Sequence, residues 1–335
     1  MKIIIPMAGR GSRLRPHTLI TPKPLLHIVG KPIVQRLVED IAKVCKQSVS
    51  EIAFIIGDFG SDVENNLLRI AESVGAKGHI FYQKEPLGTA HAIFCAEACL
   101  NGPVIVAFAD TLFRANFSLE TEADGIIWVK KVENPSAFGV VKFNDKNEIT
   151  DFVEKPAHFV SDLAIIGIYY FKNGESLRQE IKYLLDNDIK EKGEYQLTNA
   201  LENLKQKGQK FLTGTVQDWL DCGNKDAVID TNTQYMSYLH GKENLIHPTA
   251  KLENTNIIEP VFLAEGAHLQ NCVIGPYVSV GAKTQLKDSV ISHSVVGSSS
   301  QISQAILKNS LVGSSVSYKG KTQDLSLGDY SSVDL

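Results

Sequence analysis

The most restrictive feature of this sequence is a short, sustained spacing of aliphatic residues in its last third. An amphipathic helix repeats every 3.6 residues and a half-buried strand every two, so neither produces intervals of five or six. Such a period predicts a coil with three short flat sides, each of which turns one aliphatic residue inward. The recurring residues are Ile246, Leu252, Ile258, Leu263, Leu269, Ile274, Val280, Leu286, Ile291, Val296, Ile302, Leu307 and Val312.

This segment resembles the left-handed β-helix of hexapeptide-repeat proteins. We place the β-helix domain at residues 245–316, with room for roughly four coils, and a C-terminal tail at 317–335. A small antiparallel sandwich is the alternative. It is the poorer explanation, because strands of ordinary length do not sustain so short a period.

The first 240 residues show a different pattern, in which short β-branched runs alternate with helical segments. Such alternation predicts a parallel sheet covered by helices on both faces. After Asp110 the strands become closely spaced, which predicts a mixed continuation of the same sheet within one catalytic domain, 1–240. The expected fold class is therefore α/β, with a Rossmann-like mixed, mainly parallel sheet. The first predicted strands are Lys2–Met7, Ile52–Gly57, His79–Gln83 and Val104–Ala109, with helices near 32–47, 61–74 and 89–100.

Charge and cysteine content exclude several classes of protein. The chain has 34 basic and 38 acidic residues, a formal net charge of −4, and no long run of either sign, so we expect no nucleic-acid partner. No apolar run is long enough for a bilayer span, and the opening apolar stretch is too short for a signal peptide, so we expect no membrane partner and a cytoplasmic location. The five cysteines are odd in number and scattered, as expected in a reducing compartment. Cys95 and Cys99 are four residues apart on a predicted helix, and without two further Cys or His ligands nearby they are weak evidence for zinc.

A glycine-containing loop follows the first strand, where open α/β sheets place their ligands. Ala8, Gly9 and Gly11 belong to it, and glycine lets backbone amides approach a phosphate closely. The loop is neither a dinucleotide fingerprint nor a Walker A motif. On its glycines alone, a phosphate-binding loop and a simple tight turn are both open. Arg13 and Lys23 favour phosphate, because two cations close in sequence would neutralise a triphosphate and its leaving pyrophosphate.

The stretch 9–32 resembles the signature of the sugar nucleotidylyltransferase family. It contains Gly-x-Gly-x-Arg-Leu-x-Pro-x-Thr, then Pro-Lys-x-Leu, then Gly-Lys-Pro. Further segments resemble, in the family's order, its base-recognition loop (82–92), a metal-binding strand end (108–110), a sugar-phosphate site (138–141 with 153–156) and a second metal carboxylate (219–223). Family members with a C-terminal left-handed β-helix are common, so the resemblance covers both parts of the chain.

The resemblance implies a Mg²⁺-dependent sugar-1-phosphate nucleotidylyltransferase, of the glucose-1-phosphate thymidylyltransferase or UDP-sugar pyrophosphorylase type. It also implies roles for particular residues. Arg13 and Lys23 would be catalytic, and Asp110 and Asp221 would bind the metal. The nucleotide would contact Ala8, Gly9, Gly11, Gln83, Gly88 and Thr89, and the sugar phosphate would contact Gly139, Glu154 and Lys155.

Several of these roles also make physical sense, although each residue has a plainer interpretation. Asp110 ends a very apolar strand and needs a partner for its charge, which Mg²⁺ would supply; alternatively it caps the next turn. Gln83 carries a donor and an acceptor suited to the imide edge of uracil or thymine, or it is an ordinary polar strand end. Pro156 extends the backbone before it and can aim Glu154 and Lys155 into a cleft; otherwise these two form a surface pair.

The chain departs from the family pattern at two positions. Arg10 and Ala109 stand where glycine is frequent. The added methyl group of Ala109 should matter little. Arg10 either alters the phosphate pocket or points to solvent.

The predicted reaction transfers a nucleoside monophosphate from dTTP or UTP to a sugar-1-phosphate, with glucose-1-phosphate as the expected acceptor. Two alternatives remain: a catalytically inactive regulatory subunit of the same fold, and a bifunctional nucleotidylyltransferase and acetyltransferase. The first should have lost the carboxylates or cations named above, whereas this chain keeps them. The second would bind acetyl-coenzyme A. We also expect homo-oligomerisation through the β-helix, since so few coils have a poor surface-to-volume ratio.

Overall fold

In a computed structural model, the chain divides into two compact units. The first comprises Met1–Leu26 with Lys31–Asn224, and the second comprises His27–Gly30 with Lys225–Leu335. The structure describes residues 1–9, 11–45, 48–115, 119, 122–321, 326, 328, 330 and 332. Arg10 and most of the predicted tail therefore lie outside the described residues.

Strands and helices alternate through the first two thirds of the chain, as the sequence predicts. The helices are α1 (Ile33–Val44), α2 (Ser61–Ser73), α3 (Thr89–Phe94), α4 (Gly174–Asp186), α5 (Leu197–Gln206) and α6 (Lys225–Leu239). The strands are β1 (Lys2–Pro6), β2 (His27–Ile28), β3 (Lys31–Pro32), β4 (Glu51–Ile56), β5 (Lys77–Tyr82), β6 (Val104–Ala107), β7 (Thr111–Arg114), β8 (Gly125–Lys131), β9 (Gly139–Phe143), β10 (Ile149–Glu154), β11 (Leu163–Phe171), β12 (Phe211–Thr215) and β13 (Asp218–Asp221). Short 3₁₀ turns lie at Ser12–Leu14, Lys23–Leu25, Glu97–Cys99 and Pro135–Ala137.

One mixed sheet forms the centre of the first unit. Its main path runs β10-β9-β11-β6-β1-β4-β5, with β8 beside β11 and β12 beside β8. The strands β6, β1, β4 and β5 are parallel, and β11 returns antiparallel against β6. The second half of this unit thus continues the same sheet, which confirms the predicted fold class.

Burial explains why these segments become a covered parallel sheet. Ile3, Ile4 and Ile5 of β1 are fully buried, as expected for a strand with helices on both faces. In α1, the fully buried residues Ile33, Leu37 and Ile41 recur at the helical period of about 3.6, so one stripe of that helix is apolar. Within the described residues, no helix is both long and apolar enough to cross a bilayer.

The second unit is a left-handed β-helix, as the spacing of aliphatic residues predicts. Its strands form three parallel sheets, in the orders β14-β17-β20-β23-β26, β15-β18-β21-β24 and β16-β19-β22-β25. Leu269, Leu286 and Ile302 occupy equivalent positions on successive coils and are all buried. The strands are β14 (Lys251–Glu253), β15 (Asn256–Ile257), β16 (Val261–Leu263), β17 (His268–Gln270), β18 (Val273–Ile274), β19 (Val278–Val280), β20 (Gln285–Lys287), β21 (Val290–Ser292), β22 (Ser294–Val296), β23 (Gln301–Ser303), β24 (Ile306–Lys308), β25 (Leu311–Val312) and β26 (Ser317–Lys319).

The limits of this unit differ from those expected at residues 240, 245 and 316. Asn232 of α6 accepts hydrogen bonds at Oδ1 from the Val29 amide (3.0 Å) and from the Ser279 hydroxyl (2.8 Å). The α6 helix therefore groups with the β-helix, and so do residues 27–30, where a Cβ on Gly30 would lie 2.1 Å from the Phe262 ring. At the other end, β26 extends the repeat to Lys319, three residues into the predicted tail.

Candidate active site

A cleft of about 390 Å³ lies in the first unit, beside the loop that follows β1. The central position of β1 between β4 and β6 places this loop at the carboxyl end of the parallel strands. The cleft brings together nine of the predicted site residues from four separate parts of the sequence. These are Ala8, Gly9, Gly11, Arg13, Lys23, Gln83, Gly88, Thr89 and Asp110.

In the glycine loop after β1, Gly11 packs closely against Lys23, whereas Gly9 faces open space. Gly11 has φ +60°, and a Cβ there would lie 2.9 Å from the Lys23 Cβ, so only glycine fits without displacement. Its carbonyl oxygen accepts a hydrogen bond from the Thr18 hydroxyl at 2.7 Å. By contrast, a Cβ on Gly9 would meet no atom within 4 Å, which leaves the space before that backbone open.

Lys23 is a buried cation at the wall of the cleft. Only 8% of Lys23 is exposed, and its Nζ lies 3.4 Å from Oδ2 of Asp110. A buried ammonium group requires such a partner, because an unpaired charge is costly away from water. Arg13 also lines the cleft but is exposed. The cleft therefore offers one fixed and one exposed positive charge.

The backbones of the two predicted metal ligands, Asp110 and Asp221, are neighbours at the end of a short ladder that sequence reasoning did not anticipate. The β7 and β13 strands pair antiparallel, with Asp221 opposite Thr111, the residue after Asp110. The ladder continues where the Cys222 amide donates to the Asp110 carbonyl oxygen at 3.2 Å. Gly223 lies beside them, and a Cβ there would lie 2.9 Å from Oδ2 of Asp221.

This carboxylate pair suits a hard divalent cation. Asp221 is exposed, and the Asp110 side chain is 56% exposed, so both leave room for water and phosphate oxygens. Mg²⁺ favours one or two carboxylates together with such oxygens, rather than a closed protein cage. The donor set of this ladder therefore fits Mg²⁺.

At the other end of the cleft, Gln83 is held by its neighbours. Its Nε2 donates to the Gly88 carbonyl oxygen at 3.2 Å and lies 3.2 Å from Nδ1 of His91. Burial lowers the pKa of His91, although Glu85 opposes this effect, so the ring is neutral at pH 7 and can accept. Both contacts of the Gln83 amide are made by Nε2, and Oε1 is an acceptor.

Gly88 and Thr89 help to build this end of the cleft. Gly88 has φ +114°, and a Cβ there would lie 2.5 Å from the Tyr195 carbonyl oxygen. The Thr89 hydroxyl accepts from the Leu197 amide at 2.9 Å and donates to Gln196 at 3.3 Å. These contacts hold the start of α3 against the start of α5.

The three predicted sugar-phosphate residues form a separate cluster that does not line this cleft. Gly139 and Glu154 are direct partners in the β9–β10 ladder, and a Cβ on Gly139 would lie 3.1 Å from Oε2 of Glu154. The same oxygen accepts from the Thr198 hydroxyl at 3.1 Å. Lys155 has φ +40°, and its Nζ lies 3.5 Å from Oε1 of Glu154. An acceptor and an exposed cation thus stand side by side.

Tyr169 of β11 is influenced by one carboxylate of the cleft, Asp110, and by one of the sugar-phosphate cluster, Glu154. It is 6% exposed, and burial raises the pKa of its phenol, with the carboxylates of Glu154 and Asp110 raising it further. The phenol therefore stays neutral between two acidic groups. Sequence reasoning missed Tyr169, because a tyrosine within the apolar run of β11 is indistinguishable from a core residue.

His91 and Thr198 were also missed as parts of the site. His91 of α3 contacts Gln83 in the structure. Thr198 supports Glu154 from α5. The spacing of Gln83 and His91 across a turn was a usable signal, whereas the contact of Thr198 depends on the packing of α5 and could not be read from sequence.

Comparison with known proteins agrees with this geometry. A family model described as nucleotidyl transferase matches residues 2–237. The chain belongs to the nucleotidyl transferase family. Among curated relatives, the glucose-1-phosphate thymidylyltransferase of Streptomyces antibioticus is 26% identical over 322 residues, which cover 88% of this chain and 87% of the relative.

Two further relatives and one solved structure are also similar to this chain. The low-salt glycan biosynthesis nucleotidyltransferase of Haloferax volcanii is 28% identical, over 88% of this chain and 87% of its own length. The bifunctional protein GlmU of Methanococcus maripaludis is 29% identical, over 80% of this chain and 61% of its own length. A crystal structure of UDP-glucose pyrophosphorylase complexed with UDP-glucose gives a TM-score of 0.58 at 25% identity, covering 71% of this chain and 98% of that one. The chain is thus a nucleotidyl transfer enzyme of the sugar-1-phosphate nucleotidyltransferase family.

Proposed function

We propose that this protein transfers a nucleoside monophosphate from dTTP or UTP to a sugar-1-phosphate, with glucose-1-phosphate as the expected acceptor. The products would be an NDP-sugar and pyrophosphate. The observation that carries the proposal is the meeting of the glycine loop, the Lys23–Asp110 pair and Gln83 in one cleft. The names of the relatives, a glucose-1-phosphate thymidylyltransferase and a UDP-glucose pyrophosphorylase, support the choice of substrates.

The reaction is an in-line attack of a sugar-phosphate oxygen on the α-phosphorus, in which the bond to pyrophosphate breaks as the new P–O bond forms. A phosphate monoester has a second pKa of about 6 and is mostly dianionic at neutral pH, so no general base is required. Catalysis then depends on bringing two anions together and stabilising charge on the leaving group.

The chain's own residues supply most of this stabilisation. Open backbone at Gly9 lets amides approach the phosphates, and Arg13 and Lys23 neutralise the pyrophosphate. Lys23 is paired with Asp110, which holds its charge in position at the cleft. Preorganised charge of this kind needs little rearrangement as the reaction proceeds.

Asp110 and Asp221 would hold Mg²⁺, which supplies charge neutralisation at the phosphate oxygens when bound. The β7–β13 ladder sets the position of both carboxylates. Their exposure leaves them accessible to a metal–triphosphate complex.

The cluster around Glu154 would receive the sugar-1-phosphate. Glu154 is half-buried and already accepts from Thr198, and it can accept further hydrogen bonds from sugar hydroxyls. Lys155 offers the cation for the phosphate group. The pKa of the buried Tyr169 phenol is raised by burial and also by the carboxylates of Glu154 and Asp110.

Gln83 would read the base through Oε1. Since its Nε2 is occupied by Gly88 and His91, the remaining group accepts from an N–H, such as the imide N3–H of uracil or thymine. The imide N–H is common to both pyrimidines, which differ by one methyl group worth about 1–3 kcal/mol in an apolar pocket.

A substrate panel tests the proposal directly. Each of dTTP, UTP, CTP, ATP and GTP is paired with several sugar-1-phosphates in the presence of Mg²⁺, and pyrophosphate release is measured. We expect the highest rate with dTTP or UTP and glucose-1-phosphate. No release with any pair would instead support a regulatory subunit, and binding of acetyl-coenzyme A in a parallel titration would support a bifunctional enzyme.

We further propose that the β-helix assembles copies of this chain. One of its sheets carries an exposed apolar row in which Val273, Val290 and Ile306 are register partners on successive coils. Val290 is 45% exposed and Ile306 is 86% exposed. A contiguous apolar row of this kind on a small domain would be stabilised by covering it.

A further inference from the structure

The amino ends of the parallel strands carry a group of side chains that the proposed reaction does not use. Glu51 is the first residue of β4, His79 lies in the neighbouring strand β5, and Cys99 ends the 3₁₀ turn before β6. One carboxylate oxygen, one ring nitrogen and the sulfur lie within 4.8 Å of one another. The glycine loop, Gln83 and Asp110 follow the carboxyl ends of β1, β5 and β6. Glu51, His79 and Cys99 therefore lie at the opposite edge of the sheet.

We propose that Glu51, His79 and Cys99 bind one divalent transition-metal ion of the zinc class. Carboxylate oxygen, imidazole nitrogen and thiolate sulfur are all ligands of zinc. In a tetrahedral site with bonds of about 2.0–2.3 Å, ligand atoms are roughly 3–4 Å apart. The observed group needs only small side-chain movements to reach those separations, with water as the fourth ligand.

The state of the His79 ring supports this assignment. Its Nε2 is shielded from solvent and lies 2.9 Å from Oε2 of Glu51. A ring nitrogen and a carboxylate oxygen at this distance need a proton or a cation between them, because two acceptors repel each other. A metal ion bound by both atoms would supply that positive charge.

Lys2 positions the Glu51 carboxylate for this role. Its Nζ lies 3.1 Å from Oε1 of Glu51 and donates to Oδ1 of Asn101 at 2.7 Å, which leaves Oε2 of Glu51 facing His79. Hydrogen bonds that hold the second oxygen of a ligating carboxylate are usual around metal sites.

Cys99 determines which metals the site would select. It is 4% exposed, and its sulfur would bind the metal as a thiolate. Binding replaces the S–H bond with a metal–sulfur bond and releases the proton to solvent. A thiolate and an imidazole favour zinc-class ions over Mg²⁺, which prefers oxygen ligands.

Cobalt(II) provides a spectroscopic test, because a thiolate ligand to cobalt gives a charge-transfer band in the near ultraviolet, whereas carboxylates such as Asp110 do not. We expect the full-length protein to develop this band and to saturate it at one cobalt ion per chain, with zinc displacing it. Cys99→Ser should lose the band. The matched control is Cys95→Ser, which removes a half-buried thiol four residues away and should keep it.

A second variant and a second measurement guard against misfolding. His79→Gln should also lose the band, and the melting temperature of each variant without metal shows whether it folds. Added zinc should raise the melting temperature of the unmodified protein and of Cys95→Ser but not of Cys99→Ser, because a ligand stabilises only the state that binds it. The proposal is wrong if the unmodified protein gives no band, or if Cys99→Ser or His79→Gln retains it.

Discussion

The two units of this protein use backbone geometry in different ways. In the catalytic unit, Gly11 and Gly88 have positive φ angles, and at each a Cβ would come too close to neighbouring atoms. These two close approaches are specific to their own positions and do not repeat along the chain. In the β-helix, positive φ recurs at non-glycine corners such as Asn254, Asn271 and Asp288. Their side chains form a ladder with hydrogen bonds of 3.0 and 2.9 Å between residues 17 apart in sequence.

This difference predicts which property of the protein a single substitution should change in each unit. Each β-helix corner is supported by the corner above and below it, and its geometry is shared by several coils. In the catalytic unit, single residues such as Lys23, Gln83 and Asp110 have no second copy. We therefore expect point changes in the first unit to alter chemistry and point changes in the second to alter assembly.

Replacement of Asp110 by Asn should have the largest effect. The change keeps the side-chain shape but removes the charge that would hold Mg²⁺ and that partners Lys23. We expect turnover to fall by two orders of magnitude or more, about what loss of one charge-stabilising group costs. Pyrophosphate release at saturating Mg²⁺ measures this, with Asp221→Asn as the companion variant.

The mass measured by light scattering should not change in either variant. Asp110→Asn should lower the melting temperature, because it leaves the buried Lys23 ammonium without its charged partner, whereas Asp221→Asn changes an exposed side chain and should leave the melting temperature close to that of the unmodified protein. Near-normal turnover in either variant would show that the metal carboxylates are wrongly assigned.

Replacement of Gln83 by Glu should have the second largest effect, which is weaker binding of the nucleotide. A carboxylate cannot donate to the Gly88 carbonyl oxygen or to His91, so Oε1 loses its fixed position and a negative charge enters the cleft. An unmade buried hydrogen bond costs about 1–3 kcal/mol, which corresponds to roughly 5- to 150-fold in affinity. Titration with dTTP and UTP measures the change.

Gln301→Glu makes the same chemical change at an exposed position of the β-helix and serves as the control. Its nucleotide affinity should be normal. If Gln83→Glu binds both triphosphates as well as the unmodified protein does, Gln83 does not contact the base.

Replacement of Ile306 by Glu should break assembly without altering chemistry. Ile306 is 86% exposed on the apolar row, and a charge there cannot be buried against a second copy without a partner. We expect light scattering to report a smaller particle, with turnover per chain unchanged. Leu252→Glu, a 43% exposed position on a different β-helix sheet, is the matched control. An unaltered particle mass for Ile306→Glu would exclude this row as the interface.

The smallest predicted effect concerns pH. Because burial lowers the pKa of His91, the folded protein resists protonation there, and the Gln83 contact is complete above the ordinary histidine value of 6.5. As the pH falls through the lowered pKa, a protonated His91 no longer accepts from Gln83, and the stability that depends on the neutral ring is lost. We expect a few-fold rise in KM for the nucleotide in this acidic range.

His91→Asn isolates that effect from the titration of the substrate phosphate, which has a pKa of about 6. An Asn oxygen can accept from Gln83 but does not titrate, so the variant should show a flatter KM profile with similar kcat. Identical pH profiles for the variant and the unmodified protein would remove His91 from the recognition of the base.

Much of the fold could be predicted because its signals are local. The buried run of β1 and the helical spacing in α1 depend on residues that are neighbours in sequence, and the β-helix repeats its own signal on each coil. The cleft loop was also accessible, since Gly11, Arg13 and Lys23 are close in sequence. The sequence by itself thus determined the two architectures and the types of residue that the site contains.

Only the tertiary structure decided which of those residues meet. The pairing of Asp221 with Thr111, the contact of His91 with Gln83 and the grouping of Glu51 with His79 and Cys99 each join residues from different elements. The same is true of Asn232, whose hydrogen bonds place residues 27–30 and α6 with the β-helix. No local pattern encodes such contacts, because they arise from strand order and helix packing, which follow from the burial of the whole core.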